Sequence, residues 1–562
     1  MGWAEKPPPV KEDDSLTKTI PHRPTRSSGV SEHTRLRIID RFLTPVARVH
    51  QRQYLPAMAA TAINRKLRSP MSPYALGTTC IGYHWVGNHQ VPTLLDGSLL
   101  EQHMHILGST GSGKTSRSFM PMFEHQIMLN NSPLFMFDLK GDDAAFHSAR
   151  IAAEAAGRKF NYWTNVPTRS TRLLNVLGQT HMRNVDVWQI AQLLLVSLNL
   201  FHGTDYGAFY FSSVALGTLA TALDFEDQSH RDPTDPCLAF VATESTKQVK
   251  TFKQLLDRVK QVSKSVDEYK SAEGLITVIR QLASQLYLNP ACDCPIPQSV
   301  IDNALQIHEL LLPDPKTGLY PVTYFYMRSV SDYLTVMLIY KMVVYQIFSC
   351  MTDIIDAHAD EPLPVPPPSM VGCFTDEFQR VCDDSLTLLL EQIRSARIVL
   401  FMANQDPSQL RKRSIDLTDT VWSNLQNKLI FTCRDENFMN RLLRCSGERI
   451  RVMQSNSISV VQDGTVCPSV TYSEQETTYL SVNKLNEVSQ TPGKAIFIPA
   501  QSAGVTQYGF NPIIVDCPYG RTKAEYEALG QKRWPDPTPE TYRAQEPAKK
   551  HAYIRDYLEG NG

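Results

Sequence analysis

Apolar residues fall along this chain in distinct textures, and each predicts a different element. Short uninterrupted apolar runs recur at Met104–Leu107, Pro133–Phe137, Phe160–Trp163, Met370–Thr375 and Ile398–Ala403. Runs of that length, bounded by polar or Gly/Pro positions, predict strands buried on both faces. Between them lie helical patterns, Ser116–Leu129, Ala144–Ala156 and Asp384–Ser395, and a further helix and strand pair over Asp416–Cys433. Strand and helix in alternation predict an α/β fold with a parallel-rich central sheet, whose ligands sit at the carboxyl ends of the strands.

From about Asn175 to Arg328 the apolar spacing changes to three and four residues, over Val187–Leu200, Phe209–Leu223, Lys247–Leu288 and Ser299–Leu312. This predicts an inserted all-α domain, with the aromatic cluster Phe209, Tyr210, Phe211 in its core rather than serving as a base-stacking platform. Tyr333–Cys350 is apolar but carries Lys341, Thr335 and Gln346, so a buried helix is expected rather than a membrane span. Aromatic and β-branched residues alternating with Gly and Asn from Tyr74 to Leu107 predict short strands and turns. Residues from Glu448 to Asp516 read as shorter strands and loops, and Pro518–Gly562 as an appended helix or two in an otherwise flexible polar tail.

The expected organisation is therefore a basic arm over 1–70, a nucleotide-binding domain over 71–174 and 329–517, the all-α domain over 175–328, and the tail over 518–562. A length of 562 residues holds several domain-sized units. Net charge is −1, with 42% hydrophobic and 20% charged residues, which excludes a uniformly basic nucleic-acid binder but not local patches. One such patch stands out: from Lys18 to Arg68, eleven Lys and Arg residues are opposed only by Glu32 and Asp40. An arm of this kind suits anionic lipid, nucleic acid or an acidic partner. The eleven cysteines are scattered, and the close pair Cys292 and Cys294 lacks partners at zinc spacing, so reduced thiols are expected.

Chemistry concentrates after the strand Met104–Leu107. Gly108, Ser109, Thr110, Gly111, Ser112, Gly113, Lys114 and Thr115 form a phosphate-binding loop, in which glycines let successive N–H groups converge on a polyphosphate. Lys114 would reach the β- and γ-phosphates, the Thr115 hydroxyl would complete the shell of Mg2+, and Ser116 opens a helix whose dipole points at the same phosphates. The second half of a hydrolytic site is the acid pair Asp376-Glu377 at the end of an apolar strand. Asp376 is the candidate metal ligand, and Glu377 the base that orients and deprotonates water. Gln405, closing the strand Ile398–Ala403, is placed to sense the γ-phosphate. Asp138 and Lys140 fall at the same edge of the sheet. Arg394 and Arg397, which precede the strand Ile398–Ala403, are candidates to reach a neighbouring subunit's nucleotide. No Asn-Lys-x-Asp guanine signature occurs in the chain, so ATP is the expected nucleotide.

The set Gly108–Thr115, Phe137-Asp-Leu-Lys-Gly141, Phe374-Thr-Asp-Glu-Phe378, then Arg394 with Gln405, resembles the TraG/TraD class of coupling proteins in type IV secretion and bacterial conjugation, over about Gly82 to Asp516. The resemblance implies a RecA-like P-loop NTPase fold interrupted by an all-α domain. It implies a homo-hexameric, ATP- and Mg2+-dependent ATPase that brings single- or double-stranded DNA, with its relaxase or relaxosome, or effector proteins, to the secretion channel. Members usually begin with transmembrane helices; here a basic arm is expected to dock on the inner face of the cell membrane or on a membrane partner, the protein being otherwise cytoplasmic. A recruitment platform switched by ATP, and a chromosome-partition or packaging-type DNA pump, stay open as alternatives.

Overall fold

The computed structural model describes residues 79–544, apart from 87–88, 96, 199, 201–205, 224–250, 264–265, 290–295, 331, 383–389, 391, 413–414, 433–434, 461–465 and 501–511. The basic arm, Cys292 and Cys294, and most of the expected helix Asp384–Ser395 lie outside the described residues.

An eleven-stranded sheet organises the chain. In chain order its first strands are β1 (Thr79–Val86), β2 (His89–Leu95), β3 (Met104–Leu107), β4 (Leu134–Asp138), β5 (Phe160–Thr164) and β6 (Val322–Tyr326). They are followed by β7 (Val371–Asp376), β8 (Ile398–Asn404) and β9 (Asn427–Ile430). A separate ribbon, β10 (Glu448–Val460) and β11 (Val466–Thr478), comes before β12 (Lys494–Ile498) and β13 (Ile513–Asp516). Across the sheet the order is β2-β1-β13-β12-β9-β3-β8-β7-β4-β6-β5. The strands from β9 to β5 are mutually parallel, and the other four extend them antiparallel.

Helices cover both faces. Strand residues alternate in side, so Phe135, Phe137, Phe325 and Leu400 pack beneath the helical segment, while Met136, Tyr324, Phe374 and Phe401 pack on the other face. The first face receives α3 (Val187–Ser197), α4 (Tyr206–Leu223), α5 (Phe252–Val262), α6 (Val266–Ala283) and α7 (Tyr333–Asp360). The second receives α1 (Met120–Leu129) and α2 (Asp143–Ala155). Rings lock adjacent strands: Phe374 stacks on Phe401 at 4.0 Å between centroids, and Phe137 on Phe325 at 5.0 Å. Helix α7 is long and apolar enough to cross a bilayer, yet 78% of its most apolar window is buried inside the fold, with Lys341 fully enclosed.

Four expectations change. Val322–Tyr326, within the segment read as helical, is a strand buried at all five positions, because a short β-branched and aromatic run carries no periodicity that separates it from helix. The stretch after Glu448 holds two strands of 13 residues rather than short ones; among the described strands they pair with each other in a sheet of their own, and their Ser, Thr and Asn positions, which break any apolar run, read as loop. Tyr210 is 58% exposed rather than in the helical core; the side chains of Phe209 and Phe211 lie outside the description. The described part of the tail, through Ala544, packs down on α1 and α2.

That tail carries α10 (Lys523–Gly530), opened by a capping box between Thr522 and Glu525; α8 (Glu436–Cys445) and α9 (Val482–Gln490) flank the ribbon. Arg521 pairs with buried Glu124 at 3.3 Å, and the Trp534 ring stacks on Phe146 at 3.9 Å. The Tyr526 hydroxyl donates to Asp142 at 2.7 Å. The anchors of this strap, an arginine and aromatics with polar tips, made it look like solvated chain.

Candidate active site

Four parallel strands deliver the polar residues to one edge of the sheet. Leu107 stands opposite Asn404, Ala403 opposite Asp376, and Asp376 opposite Asp138. With neighbouring strands roughly 4.8 Å apart, the loop after β3 and the acids after β7 are held about two strand spacings apart.

Beyond β3 the chain folds back at Gly111 and Gly113, whose φ values are 84° and 88°. A Cβ at Gly113 would also lie 2.6 Å from Arg117 Cδ, so the position requires glycine twice over. The first helical turn, Lys114–Phe119, is wound as π-helix before α1 begins. Wide turns of this kind are frequent at functional sites. The Ser109 N–H donates to Thr432 Oγ1 at 2.8 Å, tying the loop to the end of β9.

Lys114 is 6% exposed, and its Nζ lies 3.3 Å from Asp376 Oδ1 but makes no directed hydrogen bond, and the buried Ser112 hydroxyl has no partner either. Two buried donors left open beside a glycine loop fit an anion that would satisfy them. The Thr115 hydroxyl donates to Asp376 Oδ2 at 3.0 Å, which brings the two candidate Mg2+ ligands side by side. The donor set, one hydroxyl and one carboxylate with room for waters and phosphate oxygens, suits Mg2+.

Glu377 adopts left-handed backbone (φ 58°), an uncommon conformation for this residue and one that concentrates at functional sites. Its two oxygens accept from Gln405 Nε2 at 3.2 Å each, and Oε2 accepts from Gln379 Nε2 at 2.6 Å. Gln405 in turn accepts from Thr110 Oγ1 at 3.1 Å, so the phosphate loop, the glutamine and the base form one chain of contacts. Burial pushes the Glu377 carboxyl up, but Lys114, the two amides and Arg380 outweigh it and hold it below the ordinary glutamate value. Glu377 is thus ionised at neutral pH, as a base must be.

Asp138 is differently employed. It accepts from the backbone N–H of Lys140 (3.1 Å), Gly141 (2.8 Å) and Asp142 (2.7 Å) and from the Tyr324 hydroxyl (3.0 Å). Its carboxylate shapes the Asp-x-Lys-Gly turn, and burial pushes it up to about 7 against those donors. Lys140 stays exposed. Arg394 and Arg397 do not join the site. Both are exposed and stand before β8, at the end of the sheet marked by the Val371 N–H donating to Arg397 O. The seven residues of β8 separate Arg397 from Gln405, roughly 26 Å at about 3.3 Å per residue.

Gln379, Arg380 and Thr432 were not singled out from sequence. Gln379 and Arg380 directly follow the Asp-Glu pair, a position where polar residues could have been flagged; Thr432 closes a strand whose register only the fold reveals.

The residues matched by family descriptions fall on these elements. Residues 79–289 match the central domain of helicase HerA, and residues 370–490 match the TraM recognition site of TraD and TraG. The resemblance to the TraG/TraD class is borne out. Among solved structures, the bacterial conjugative coupling protein TrwBdeltaN70 in its unbound form is similar with a TM-score of 0.51 and 12% identity, over 82% of this chain and 92% of that one. The plasmid coupling protein TrwB in complex with ADP and Mg2+ gives 0.47 and 12%, over 84% and 98%. VirB4 of Thermoanaerobacter pseudethanolicus gives 0.42 and 11%, over 80% and 98%. No curated protein matches the sequence. At 12% identity the likeness to TrwBdeltaN70 shows the fold alone, a RecA-like α/β one, and the segment matched to the TraM recognition site of TraD and TraG holds the acid pair, Gln405 and the ribbon.

Proposed function

We propose that this chain is an ATP-hydrolysing coupling protein that recruits DNA with its relaxase, or effector proteins, and moves them to a type IV secretion channel. The observation that supports it best is the convergence of Lys114, Thr115, Asp376, Glu377 and Gln405 on one sheet edge, with donors left open in the loop. Lys114 and the loop N–H groups would hold the β- and γ-phosphates, and Thr115 with Asp376 would hold Mg2+. Bound Mg2+ would supply charge neutralisation on the phosphate oxygens. Glu377, released from Gln379 or Gln405, would orient a water and take its proton, and Gln405 would report the γ-phosphate through Thr110.

Arg394, on the opposite edge, is assigned to the nucleotide of a neighbouring subunit in a homo-hexamer. If so, Arg394→Ala loses hydrolysis but keeps ATP binding, and mixing it with Lys114→Ala protein restores part of the activity. No recovery on mixing removes the assignment.

The ribbon, a two-stranded sheet of its own inside the segment matched to a TraM recognition site, favours a second reading, a recruitment platform in which ATP acts mainly as an assembly switch. ATP hydrolysis measured with and without DNA separates them. A several-fold rise with single- or double-stranded DNA is expected for the motor. A rise only with protein substrate favours the platform, and no hydrolysis under any condition sinks the proposal. The basic arm would dock this cytoplasmic protein on anionic lipid or a membrane partner; equal sedimentation with anionic vesicles after deleting residues 1–69 would exclude that role.

A further inference from the structure

A cleft of about 270 Å3 lies at the end of the sheet away from the phosphate loop. Lys159 stands immediately before β5 and Pro321 immediately before β6, so the cleft opens at the amino ends of parallel strands, whereas Asp376 closes a carboxyl end. Its other wall is the stretch 305–314, by which the chain returns from the helical insertion to the sheet. The Leu305 N–H ties that stretch to Leu173 O at 2.8 Å, and Leu305, Leu310 and Leu312 give the cleft its apolar surface. Clefts where two parts of a fold meet are favoured ligand sites, and this volume, at the low end of their range, suits a small molecule.

The charges on the two walls are sorted by sign. The sheet side carries Lys159 and Arg172. Arg172 is 7% exposed, and its guanidinium is fixed by donating through Nε and Nη2 to Asn303 O at 3.1 and 2.6 Å and through Nη1 to Asn161 Oδ1 at 2.6 Å. Asn161 has thereby spent an acceptor, and Gln306 spends its own on the Thr180 N–H and hydroxyl at 3.0 and 3.2 Å, so both amides offer the cleft their donors. The returning stretch carries Glu309 and Asp314. Opposite charges act on each other across the gap. Burial pulls the Arg172 guanidinium down, with Glu540 and then Glu309 opposing it; the Lys316 and Thr317 N–H groups hold Asp314 below the ordinary carboxylate range, and Lys159 adds to them. Yet the walls do not touch. Among the described residues Lys159, Glu309 and Asp314 have no ion pair within 4 Å, and Arg172 pairs with Glu540, at 3.9 Å, instead.

We infer that this cleft binds a small zwitterion with an apolar body, an aliphatic α-amino acid, with its carboxylate on Lys159, Arg172 and the Asn161 amide, its ammonium on Glu309 and Asp314, and its side chain against the three leucines. Cations and acids close enough to attract but too far apart to meet are satisfied together by a ligand carrying both signs. A ligand of one sign leaves a wall unpaired. The site stands at the opposite end of the sheet from the phosphate loop and does not depend on the nucleotide reading; an occupant would brace the junction between the helical insertion and the sheet.

Calorimetric titration of the full-length protein with three probes tests this: L-leucine, 4-methylpentanoate, which lacks the ammonium, and L-leucinamide, which lacks the carboxylate. L-leucine is expected to bind with a Kd of about 1 mM or tighter, within reach of a ligand this small. Each of the other two should bind about tenfold more weakly, since each leaves one charged wall without its partner. Lys159 and Glu309 are exposed, so replacing them spares the fold. Glu309→Gln should weaken L-leucine about threefold or more and leave 4-methylpentanoate unchanged, while Lys159→Met should weaken both of these and leave L-leucinamide unchanged. No binding of L-leucine at about 10 mM, ten times the expected Kd, overturns the inference. So do equal affinities for the three probes, which would make the cleft merely apolar, and an L-leucine affinity that neither variant moves, which would put the amino acid elsewhere.

Discussion

The two edges of the sheet each bury a lysine, and they treat it in opposite ways. At the edge away from the phosphate loop, Lys428 is 4% exposed and its Nζ donates to Trp422 O at 3.0 Å and to Leu425 and Gln426 O at 3.1 Å each. Burial pushes that ammonium down to about 7, while three acceptors occupy all three of its N–H groups and favour the charged form. Asn427 beside it is equally spent, donating to His103 O at 2.9 Å and accepting from the Ala500 N–H at 3.0 Å. At the phosphate edge Lys114 is as deeply enclosed, but its ammonium has Asp376 as a charge neighbour and no directed hydrogen bond. Burying a donor without an acceptor costs stability. A fold that satisfies one edge so fully and leaves the other open is holding the open edge for a ligand.

Replacing the two lysines should therefore break different things. Lys114→Ala should lower ATP turnover by about a thousandfold or more, because a cation fixed on the transferring phosphoryl group is lost, while the melting temperature of the nucleotide-free protein moves little. A steady-state phosphate-release assay beside a thermal melt decides it; near-normal turnover would remove Lys114 from the site. Glu377→Gln should cost about a hundred- to a thousandfold in hydrolysis and leave ATP affinity intact, since the carboxylate is turned toward two amides rather than toward the loop. Parallel loss of binding and turnover would mean that Glu377 builds the site instead of acting in it.

The phosphate side of this contrast was legible in the chain itself; the Lys428 side was not. The loop Gly108–Thr115 and the pair Asp376-Glu377 are local patterns whose chemistry depends on residue type and order, and the buried strands leading to them are short apolar runs. What stayed hidden was set by tertiary partners. The run Val322–Tyr326 carries no period of its own and becomes a strand because β4 and β5 stand on either side of it. The ribbon β10–β11 hid for another reason: its strands pair with each other outside the eleven-stranded sheet, and their Ser, Thr and Asn positions break up the apolar runs that mark a buried strand. The strap looked like tail because its anchors, Arg521, Tyr526 and Trp534, are residues that expose as readily as they bury. Gln379 illustrates the limit within the site, since nothing in the sequence says that its amide turns back onto Glu377.

Lys428→Met sharpens the comparison from the other edge. The thioether can keep the stem against the Trp422 ring, which the ammonium overlies at 4.2 Å, but three carbonyls lose their donor. A loss of about 2–4 kcal/mol in unfolding free energy is expected, with ATP turnover of the folded protein unchanged. If Lys428→Met and Lys114→Ala shift a denaturant midpoint equally, the two lysines are not distinguished by their partners and the argument for a reserved edge fails.

The smallest effect per group is the pH dependence of the scaffold beneath both edges. Burial depresses His103, His105 and His125 from 6.5 to about 4; Arg394 adds to the effect at His103, while His105 keeps one contact, Nε2 to Asn404 Oδ1 at 2.6 Å. Because these bases bind protons more readily in the unfolded chain than in the folded one, their neutral forms favour folding above about 6.5 and that contribution is lost as pH falls through about 4. Each group contributes a slope of about 1.4 kcal/mol per pH unit within that window. His147 and His181 are lowered to about 4 in the same way, and Asp138, raised to about 7, offsets part of their effect with the opposite sign. The melting temperature should therefore fall between pH 6.5 and 4, and His125→Gln, whose amide can still donate to Cys80 O in place of Nδ1, should remove about one fifth of the histidine slope. A flat profile across that interval would mean that these rings are protonated in the folded sheet, and that its interior between the two edges is wetter than its burial indicates.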